Sequence, residues 1–266
     1  MKRKIVYNSP FRQFVSVIFA LFFRELKTRF GQQRFGVFWT IAEPMVHIVV
    51  LLFVFVFIRE HMMPQVPFEL FLITGVIPFF VFRKTVTGLM GSIDANKALF
   101  AYTPVKPIDT YITRTILEVV IYGIIFVILI FYFGFLVGLD VSVANPFELM
   151  LIFALLVLMA FSFGIILSIL LQIFPMLKIA IGLIMRLLYF LSCIMYPLWV
   201  IPSQYAYYLK FNPVLHLIEL FRYNFFSYYP HSEGINIYYP LFVTLIALFI
   251  ALYFYRVRRL ALAAKQ

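Results

Sequence analysis

Three cationic side chains in or beside long apolar stretches are the first candidates for chemistry in this 266-residue chain. Arg83 and Lys84 stand near the end of one apolar stretch, and Arg186 lies well inside another. An isolated charge at membrane depth is costly, so such residues usually line a channel, where they would attract an acidic substrate, or form an ion pair. The alternative is that Arg83 and Lys84 reach the lipid headgroups and anchor a helix end. For the same reason, we expect Glu43 to form a structural ion pair with Arg34 or Lys84.

Aromatic side chains, which make up 20% of the residues, form a second set of candidates. Tyr189 and Tyr196 would share one face of a continuous helix, roughly in line with Arg186. Sugar rings can rest on aromatic rings, and a tyrosine adds a hydroxyl group at a wet boundary. Together with Trp39, these residues are candidates for the lining of a substrate channel. Packing or lipid contact, and an interfacial anchor in the case of Trp39, remain the simpler explanation.

The familiar motifs for nucleotide, metal or acid–base chemistry do not occur in the sequence. It has neither the GxxxxGK[ST] phosphate-binding loop nor the HExxH zinc motif, and its four histidines are scattered. We therefore expect no metal site, no bound cofactor and no catalytic residue, and we expect the single cysteine, Cys193, to be a buried structural thiol. The acids and bases that a membrane enzyme could use in outward loops are Glu219, Glu233, His216 and His231.

Long apolar runs must position these candidates. The sequence is 64% hydrophobic and only 12% charged, which excludes an ordinary water-soluble domain. A helix needs about 20 apolar residues to cross the hydrocarbon core of a bilayer. We therefore predict an all-α integral membrane protein with six transmembrane helices. Their expected bounds are 37–58, 68–90, 110–138, 147–174, 177–200 and 235–255.

The segments outside these helices have distinct patterns. Residues 1–36 are predicted to form an amphipathic helix in the cytoplasmic interface, because apolar residues recur at helical spacing and basic residues follow at once. The remainder, 37–266, is then the transmembrane domain. Residues 92–109 are polar and interrupted by prolines, which predicts a loop with a short helix. Residues 201–234 are also punctuated by prolines, which favours re-entrant half-helices packed against protein at the outer edge of the membrane.

The basic residues are distributed asymmetrically around the predicted helices. Most of the 22 Lys and Arg residues fall on the side that holds both ends of the chain. Because cytoplasmic segments carry the excess of basic residues, we predict that both termini are cytoplasmic. The same asymmetry accounts for the net charge of +11, so nucleic acid is not expected as a partner.

Several segments, in their order along the chain, resemble one transporter family. They are Arg29-Phe-Gly-Gln-Gln-Arg-Phe-Gly-Val-Phe-Trp-Thr-Ile-Ala-Glu43-Pro44, Pro104-Val-Lys-Pro-Ile-Asp109, Leu191-Ser-Cys-Ile-Met-Tyr-Pro197 followed by Ile201-Pro202, and Asn212-Pro-Val-Leu-His-Leu-Ile-Glu-Leu-Phe-Arg222. The first resembles the entry to the first transmembrane helix of ABC-2-type permeases. The others resemble one branch of that family, the capsular polysaccharide exporters of Gram-negative bacteria of the KpsM/BexB type. The likeness covers nearly the whole chain.

The resemblance implies a function and a set of partners. Such a permease pairs with a second copy and with two ATP-binding subunits, which hold the ATP and Mg²⁺. A lipid-linked acidic polysaccharide would cross the bacterial inner membrane through a channel between the two permeases, and periplasmic and outer-membrane export proteins would be further partners. The interfacial helix and residues 92–109 would meet the ATPase. Within that loop, the candidates for coupling are Asp94, Asn96, Lys97, Phe100 and Tyr102, with the two aromatic rings as anchors.

Other functions remain open at this point. A sister branch that exports O-antigen or teichoic acid shares much of the pattern, and a small molecule is another possible substrate. A membrane enzyme that acts on lipid-linked sugars, or a purely structural subunit, would come from a different class of protein.

Overall fold

The computed structural model describes residues 9–31, 36–55, 66–101 and 105–264. These residues form helices joined by turns and contain no strand. The helices are α1 (Pro10–Gly31), α2 (Gly36–Phe55), α3 (Phe68–Met90), α4 (Ser92–Asn96), α5 (Pro107–Phe131), α6 (Pro146–Ile173), α7 (Leu177–Leu191), α8 (Ser203–Leu209), α9 (Pro213–Phe225) and α10 (Tyr238–Ala264). The shorter turns are the 3₁₀ segments Lys97–Ala101 and Leu198–Val200 and the π-helical extension of α5, Tyr132–Leu136.

Helix α3 lies at the centre of the fold. It packs against α2, α5, α6 and α9, and most of its side chains are buried on every side. Phe71, Val76 and Phe79, for example, have no exposed surface. Helix α6 in turn packs against α9 and α10. Because lipid is as apolar as these side chains, close van der Waals packing and interhelical hydrogen bonds hold such helices together within a membrane.

Within the described ranges, four helical segments are long and apolar enough to cross a membrane. They are Phe68–Met90, Pro107–Leu136, Pro146–Ile173 and Tyr238–Leu260. Helix α2 contributes a shorter apolar stretch, Phe38–Val54. These segments correspond to five of the six predicted transmembrane helices. Residues 56–58 of the first one lie outside the described residues.

Helix α7 is shorter than the predicted helix at 177–200, because it ends at Leu191. Its 15 residues span about 22 Å, less than the thickness of about 30 Å of a hydrocarbon core. The chain then turns at Cys193, which has a φ of 52°. Arg222 of α9 donates hydrogen bonds of 2.8 Å to the carbonyl oxygens of Cys193 and Ile194, and Asn212 donates one of 3.2 Å to that of Leu191. Side chains distant in the sequence thus bind the last carbonyl group of α7 and two carbonyl groups in the turn that follows it.

The proline-punctuated segment 201–234 contains the two short helices α8 and α9. The side chain of Asn212 caps α9 by accepting a hydrogen bond of 3.0 Å from the backbone N–H of Val214, and Pro213 begins the helix. Nearly all of α9 is buried, against α3, α6 and α10. Helix α9 is therefore part of the core, whereas α8 is largely exposed.

Helix α1 lies on the outside of the bundle against α5. Phe11, Phe19 and Phe23 are more than half exposed on its outer face, which fits an amphipathic helix at a membrane surface. Of the predicted interfacial segment 1–36, residues 1–8 and 32–35 lie outside the described residues.

Candidate functional site

A group of charged side chains joins α2 to α3. Glu43 on α2 accepts a hydrogen bond of 3.0 Å from Arg83 and another from Lys84, both on α3. The guanidinium carbon of Arg83 also lies 4.5 Å from the centre of the Phe80 ring. The structure thus pairs Glu43 with Lys84, one of the two partners that the sequence suggested. The other, Arg34, lies outside the described residues. Because two cations share one carboxylate, this group keeps a net positive charge and could attract an anion.

His47, one turn after Glu43 on α2, connects α2 to α7. Its Nε2 atom lies 2.6 Å from the hydroxyl oxygen of Tyr189. The ring of Phe80 packs beside His47, and that of Phe79 packs edge-on against Tyr189. Tyr189 is consequently only 6% exposed, and its hydroxyl group is used within the chain.

The other channel candidates are not grouped with Tyr189. Arg186 is exposed and has no hydrogen-bond or ion-pair partner among the described residues, and Trp39 is 63% exposed on α2. Tyr196 lies in the turn after α7, where its hydroxyl group donates a hydrogen bond of 2.7 Å to the carbonyl oxygen of Phe190. Since α7 ends before Tyr196, the predicted alignment of Tyr189 and Tyr196 on one helical face is wrong.

Two of the coupling candidates hold α4 against its neighbours. Asp94 accepts a hydrogen bond of 3.1 Å from Gln172 on α6. Asn96 is buried and donates a hydrogen bond of 2.9 Å to Glu25 on α1. Helix α4 is thus tied by side chains to both α1 and α6.

The remaining coupling candidates follow α4 along the chain. Lys97 is exposed. Phe100 is half-buried and packs against an apolar cluster to which α3, α5, α6 and α10 contribute. Tyr102 lies outside the described residues. A force that a partner protein exerted at Lys97 would therefore act on a segment that packs against the helix bundle through Phe100.

Two ion pairs that the sequence analysis missed fasten α1 to α5. Glu25 accepts hydrogen bonds from Arg114 at 3.2 and 3.3 Å, and Arg29 donates one of 2.7 Å to Glu118. Arg114 also donates a hydrogen bond of 2.7 Å to the carbonyl oxygen of Gly88 at the end of α3. The sequence does contain a signal for these two ion pairs. In α1, Glu25 precedes Arg29 by four residues, and in α5, Arg114 precedes Glu118 by four residues, so each helix presents an acid and a base on one face in opposite order.

Two of the four acids and bases considered for a membrane enzyme, Glu219 and His216, have partners within the structure, whereas His231 and Glu233 lie on the wall of a cavity. Glu219 is buried against Arg222 at 3.2 Å and accepts hydrogen bonds from Tyr229 at 3.1 Å and from Ser232 at 3.3 Å. His216 bonds to the carbonyl oxygen of Lys210 at 2.8 Å. These contacts hold α9 and the following loop in place. Within the described part of the chain, no three His, Cys, Asp or Glu side chains are grouped so that they could hold a metal ion.

Comparison with known proteins connects these features to transport. The model of the ABC-2 type transporter family matches residues 16–226. The polysialic acid transport protein KpsM of Escherichia coli is 40% identical over 243 residues, which cover 91% of this chain and 93% of that protein. The capsule polysaccharide export inner-membrane protein CtrC of Neisseria meningitidis is 28% identical over 79% of each chain. The O-antigen export system permease protein RfbA of Klebsiella pneumoniae is 25% identical over 90% of each chain.

Proposed function

Because the chain belongs to the ABC-2 type transporter family, we propose that it is the membrane subunit of an ATP-driven exporter of lipid-linked capsular polysaccharide in the bacterial inner membrane. The observation that carries this proposal is the 40% identity to a polysialic acid transport protein over 91% of the chain. The lower identity to an O-antigen permease makes export of that kind of glycan the second candidate.

The proposed architecture has six transmembrane passages. Helices α2, α3, α5, α6 and α10 provide five of them. The remaining passage begins with α7 and continues as the non-helical turn after it, with α8 and α9 as re-entrant helices at the outer edge. Irregular backbone is tolerated at membrane depth only where protein surrounds it. The burial of Ser192, Cys193 and Ile194, together with the hydrogen bonds from Arg222, supports this arrangement.

The proposed orientation places both termini, α1 and residues 92–109 in the cytoplasm. Basic residues such as Arg24, Lys97 and Arg258 then lie on the cytoplasmic side, as the positive-inside rule requires. The exposed tyrosines of α8 lie at the opposite boundary, where aromatic side chains are enriched in membrane proteins.

The proposed assembly contains two copies of this chain and two ATP-binding subunits, which supply ATP and Mg²⁺ chemistry that this chain lacks. ATPase movement would reach the membrane through the 92–109 segment. Asn96 and Glu25 connect that segment to α1, and Arg114 carries the connection into α5 and α3. Periplasmic and outer-membrane export proteins would receive the polymer on the far side.

The proposed substrate path uses the cationic side chains. Arg83, Lys84 and Arg186 would draw an acidic polymer into a channel between two copies, with Trp39 exposed on the neighbouring helix α2. The exposure of Arg186 and its lack of a partner among the described residues support this role, because an unpaired charge at membrane depth requires water or an anion.

A deletion strain complemented with the wild-type chain tests the proposal. We expect capsular polymer at the cell surface with the chain present, and lipid-linked polymer inside the cell without it. The purified chain should bind its ATP-binding subunit, whose ATP hydrolysis should rise with added glycolipid. Surface polymer that persists without the chain, or sugar-transfer activity of the chain alone, would contradict the proposal.

A further inference from the structure

A cavity of about 560 Å³ lies among the turn Leu198–Val200, helix α8 and the loop that follows α9. Small-molecule sites usually measure about 300–1,000 Å³ and combine apolar walls with a few polar groups. The side chains that give this cavity its chemical character are Trp199, Ser203, Lys210, His231 and Glu233. It is separate from the charged group that joins α2 to α3 and from the coupling segment.

Lys210 supplies a cation at the cavity wall. Among the described residues, its ammonium group has no hydrogen-bond or ion-pair partner. Its side chain lies along Gly234, where an added Cβ would be only 3.3 Å from Nζ. Gly234 has a φ of +77°, a conformation that favours glycine, so the turn itself makes room for the lysine. A cation placed in this way can bind an anionic group of a ligand.

Trp199 supplies an aromatic wall. Its ring packs edge-on against Tyr229 at 5.0 Å between ring centres and is still 40% exposed. Tyr229 is itself fixed by hydrogen bonds of 3.1 Å to Glu219. The indole is therefore held from behind by a buried network, and its remaining surface can stack on the apolar face of a sugar ring.

We propose that this cavity binds an acidic sugar residue of the exported polymer on the outer side of the membrane. The inference rests on the proposed function, which supplies the polymer. Lys210 pairs with the sugar carboxylate, Trp199 stacks on the ring, and Glu233 and Ser203 bond to hydroxyl groups. A neutral sugar would leave the lysine without an anion, and binding would be weaker. The site would hold successive residues of the emerging chain and oppose their return.

Tryptophan fluorescence gives a direct test, because Trp39 and Trp199 are the only tryptophans in the sequence. The full-length Trp39→Phe protein in lipid nanodiscs is titrated with an oligomer of sialic acid, an oligomer of glucuronic acid and neutral maltotriose. We expect a saturable change in Trp199 emission with at least one acidic oligomer, and at least tenfold weaker binding of maltotriose.

Two lysine variants test the role of the cation. Lys210→Gln should weaken binding of the acidic oligomer at least tenfold. Lys178→Gln, which changes an exposed lysine on α7, should leave that binding unchanged. If the Trp39→Phe protein cannot be produced, sugar binding is measured instead by calorimetric titration of the unmodified protein.

Several outcomes would overturn the assignment. One is that Trp199 emission does not change with either acidic oligomer. The others are that maltotriose binds as tightly as the acidic oligomers, or that the Lys210→Gln protein binds the acidic oligomer as tightly as the unsubstituted position does. A response to short-chain phosphatidylglycerol alone would identify a lipid headgroup site instead. If Lys210→Gln stopped export without any sugar binding by the wild type, the cavity would be a docking site for a partner protein. If cells export an acidic polymer but Trp199 emission does not respond to acidic oligomers, only this inference is wrong. If the cavity binds the sugars but the chain exports no polymer, only the proposed function is wrong.

Discussion

Glu25 of α1 and Arg114 of α5 form an ion pair with two contacts, Nε to Oε1 at 3.2 Å and Nη2 to Oε2 at 3.3 Å. Asn96 of α4 donates a hydrogen bond to the same Oε1 atom. One carboxylate thus connects the interfacial helix, the short helix after α3 and a long apolar helix. Both partners of the ion pair are mostly shielded from solvent, which strengthens it relative to a surface pair.

Glu25→Gln should therefore weaken the contact between α1 and α5. We expect a loss of about 2 kcal/mol in stability, since one charge is left without its partner in a partly buried site. Export should fall more than ATP hydrolysis, because the path from α4 to α5 is broken. The measurements are thermal stability and surface polymer. Lys27→Gln, an exposed position on the same helix, should change neither, and the swapped pair Glu25→Arg with Arg114→Glu should recover part of the loss.

Gly75→Ala should disrupt the centre of the fold. A Cβ at this position would collide with the guanidinium group of Arg222, which is fully buried and holds the carbonyl groups after α7. Displacing a buried charge from its partners costs about 3–5 kcal/mol. Since Cys193 is the only cysteine and is buried, the temperature at which it reacts with a thiol dye reports unfolding. That temperature should fall by about 10 °C. Gly123→Ala, where an added Cβ meets no atom within 4 Å, should leave it unchanged.

Single cysteines should report the orientation of the chain in the membrane. In a Cys193→Ala background, Lys97→Cys and Arg258→Cys should resist a membrane-impermeant maleimide applied from the periplasm, because the positive-inside rule places them in the cytoplasm. Tyr208→Cys should react, since residue 208 is 71% exposed on the proposed outer side. All three should react in inverted or opened vesicles. Labelling of Lys97→Cys from outside would reverse the proposed orientation.

Lys97→Glu should separate ATP hydrolysis from export. Lys97 is exposed on the segment proposed to contact the ATP-binding subunit, so reversing its charge changes that contact without removing packing from the bundle. We expect ATP hydrolysis to continue while surface polymer declines several-fold, measured on the purified complex and in cells. Phe100→Asp should act in the same direction, but it should also lower stability because Phe100 packs on the apolar cluster. Normal export by Lys97→Glu would exclude the residue from coupling, and Lys178→Glu provides the comparison.

Arg186→Ala should abolish surface polymer while the amount of protein in the membrane stays normal. Arg186 is exposed and forms no hydrogen bond or ion pair with a described residue, so the effect expected is on substrate passage rather than on stability. Arg186→Lys keeps the charge and should retain most export. Export by Arg186→Ala at the wild-type level would remove this residue from the substrate path.

The long apolar helices could be predicted from the sequence because residues directly next to each helix determine where it begins and ends. Helix α3 covers Phe68–Met90, the range predicted, since Pro67 precedes the helix and Gly91 ends it. The end of α7 could not be anticipated in this way. The apolar run continues past Leu191, and the break is stabilised by Arg222, which is distant in the sequence. For the same reason, the supposed face shared by Tyr189 and Tyr196 does not exist.

The contacts at the candidate site were partly accessible from sequence. The pairing of Glu43 with Lys84 follows from the rule that intramembrane charges seek partners. The pairing of Glu25 with Arg114 joins residues 89 positions apart, and a single sequence does not reveal which of several cations will meet a given carboxylate. The hydrogen bond between His47 and Tyr189 depends on how α2 and α7 pack, which periodicity alone does not fix.

The near-complete enclosure of α3 by its own chain leaves that helix little surface to present to lipid. In its most apolar window, 83% of the residues are buried, against 22% for Pro107–Leu136 and 22% for Tyr238–Leu260. Helix α3 accordingly has the lowest mean hydropathy of the four long helices, and it can carry Arg83 and Lys84 near its end. Apart from Arg83 and Lys84, the outer helices must then supply most of the surface that the bilayer, a neighbouring subunit or a passing polymer encounters. Changes of side-chain polarity at the buried positions of α3 should thus alter folding of the single chain. Changes on the exposed faces of α2, α5, α7 and α10, or at Arg83 and Lys84, should instead alter contacts with lipid, a neighbouring subunit or the polymer.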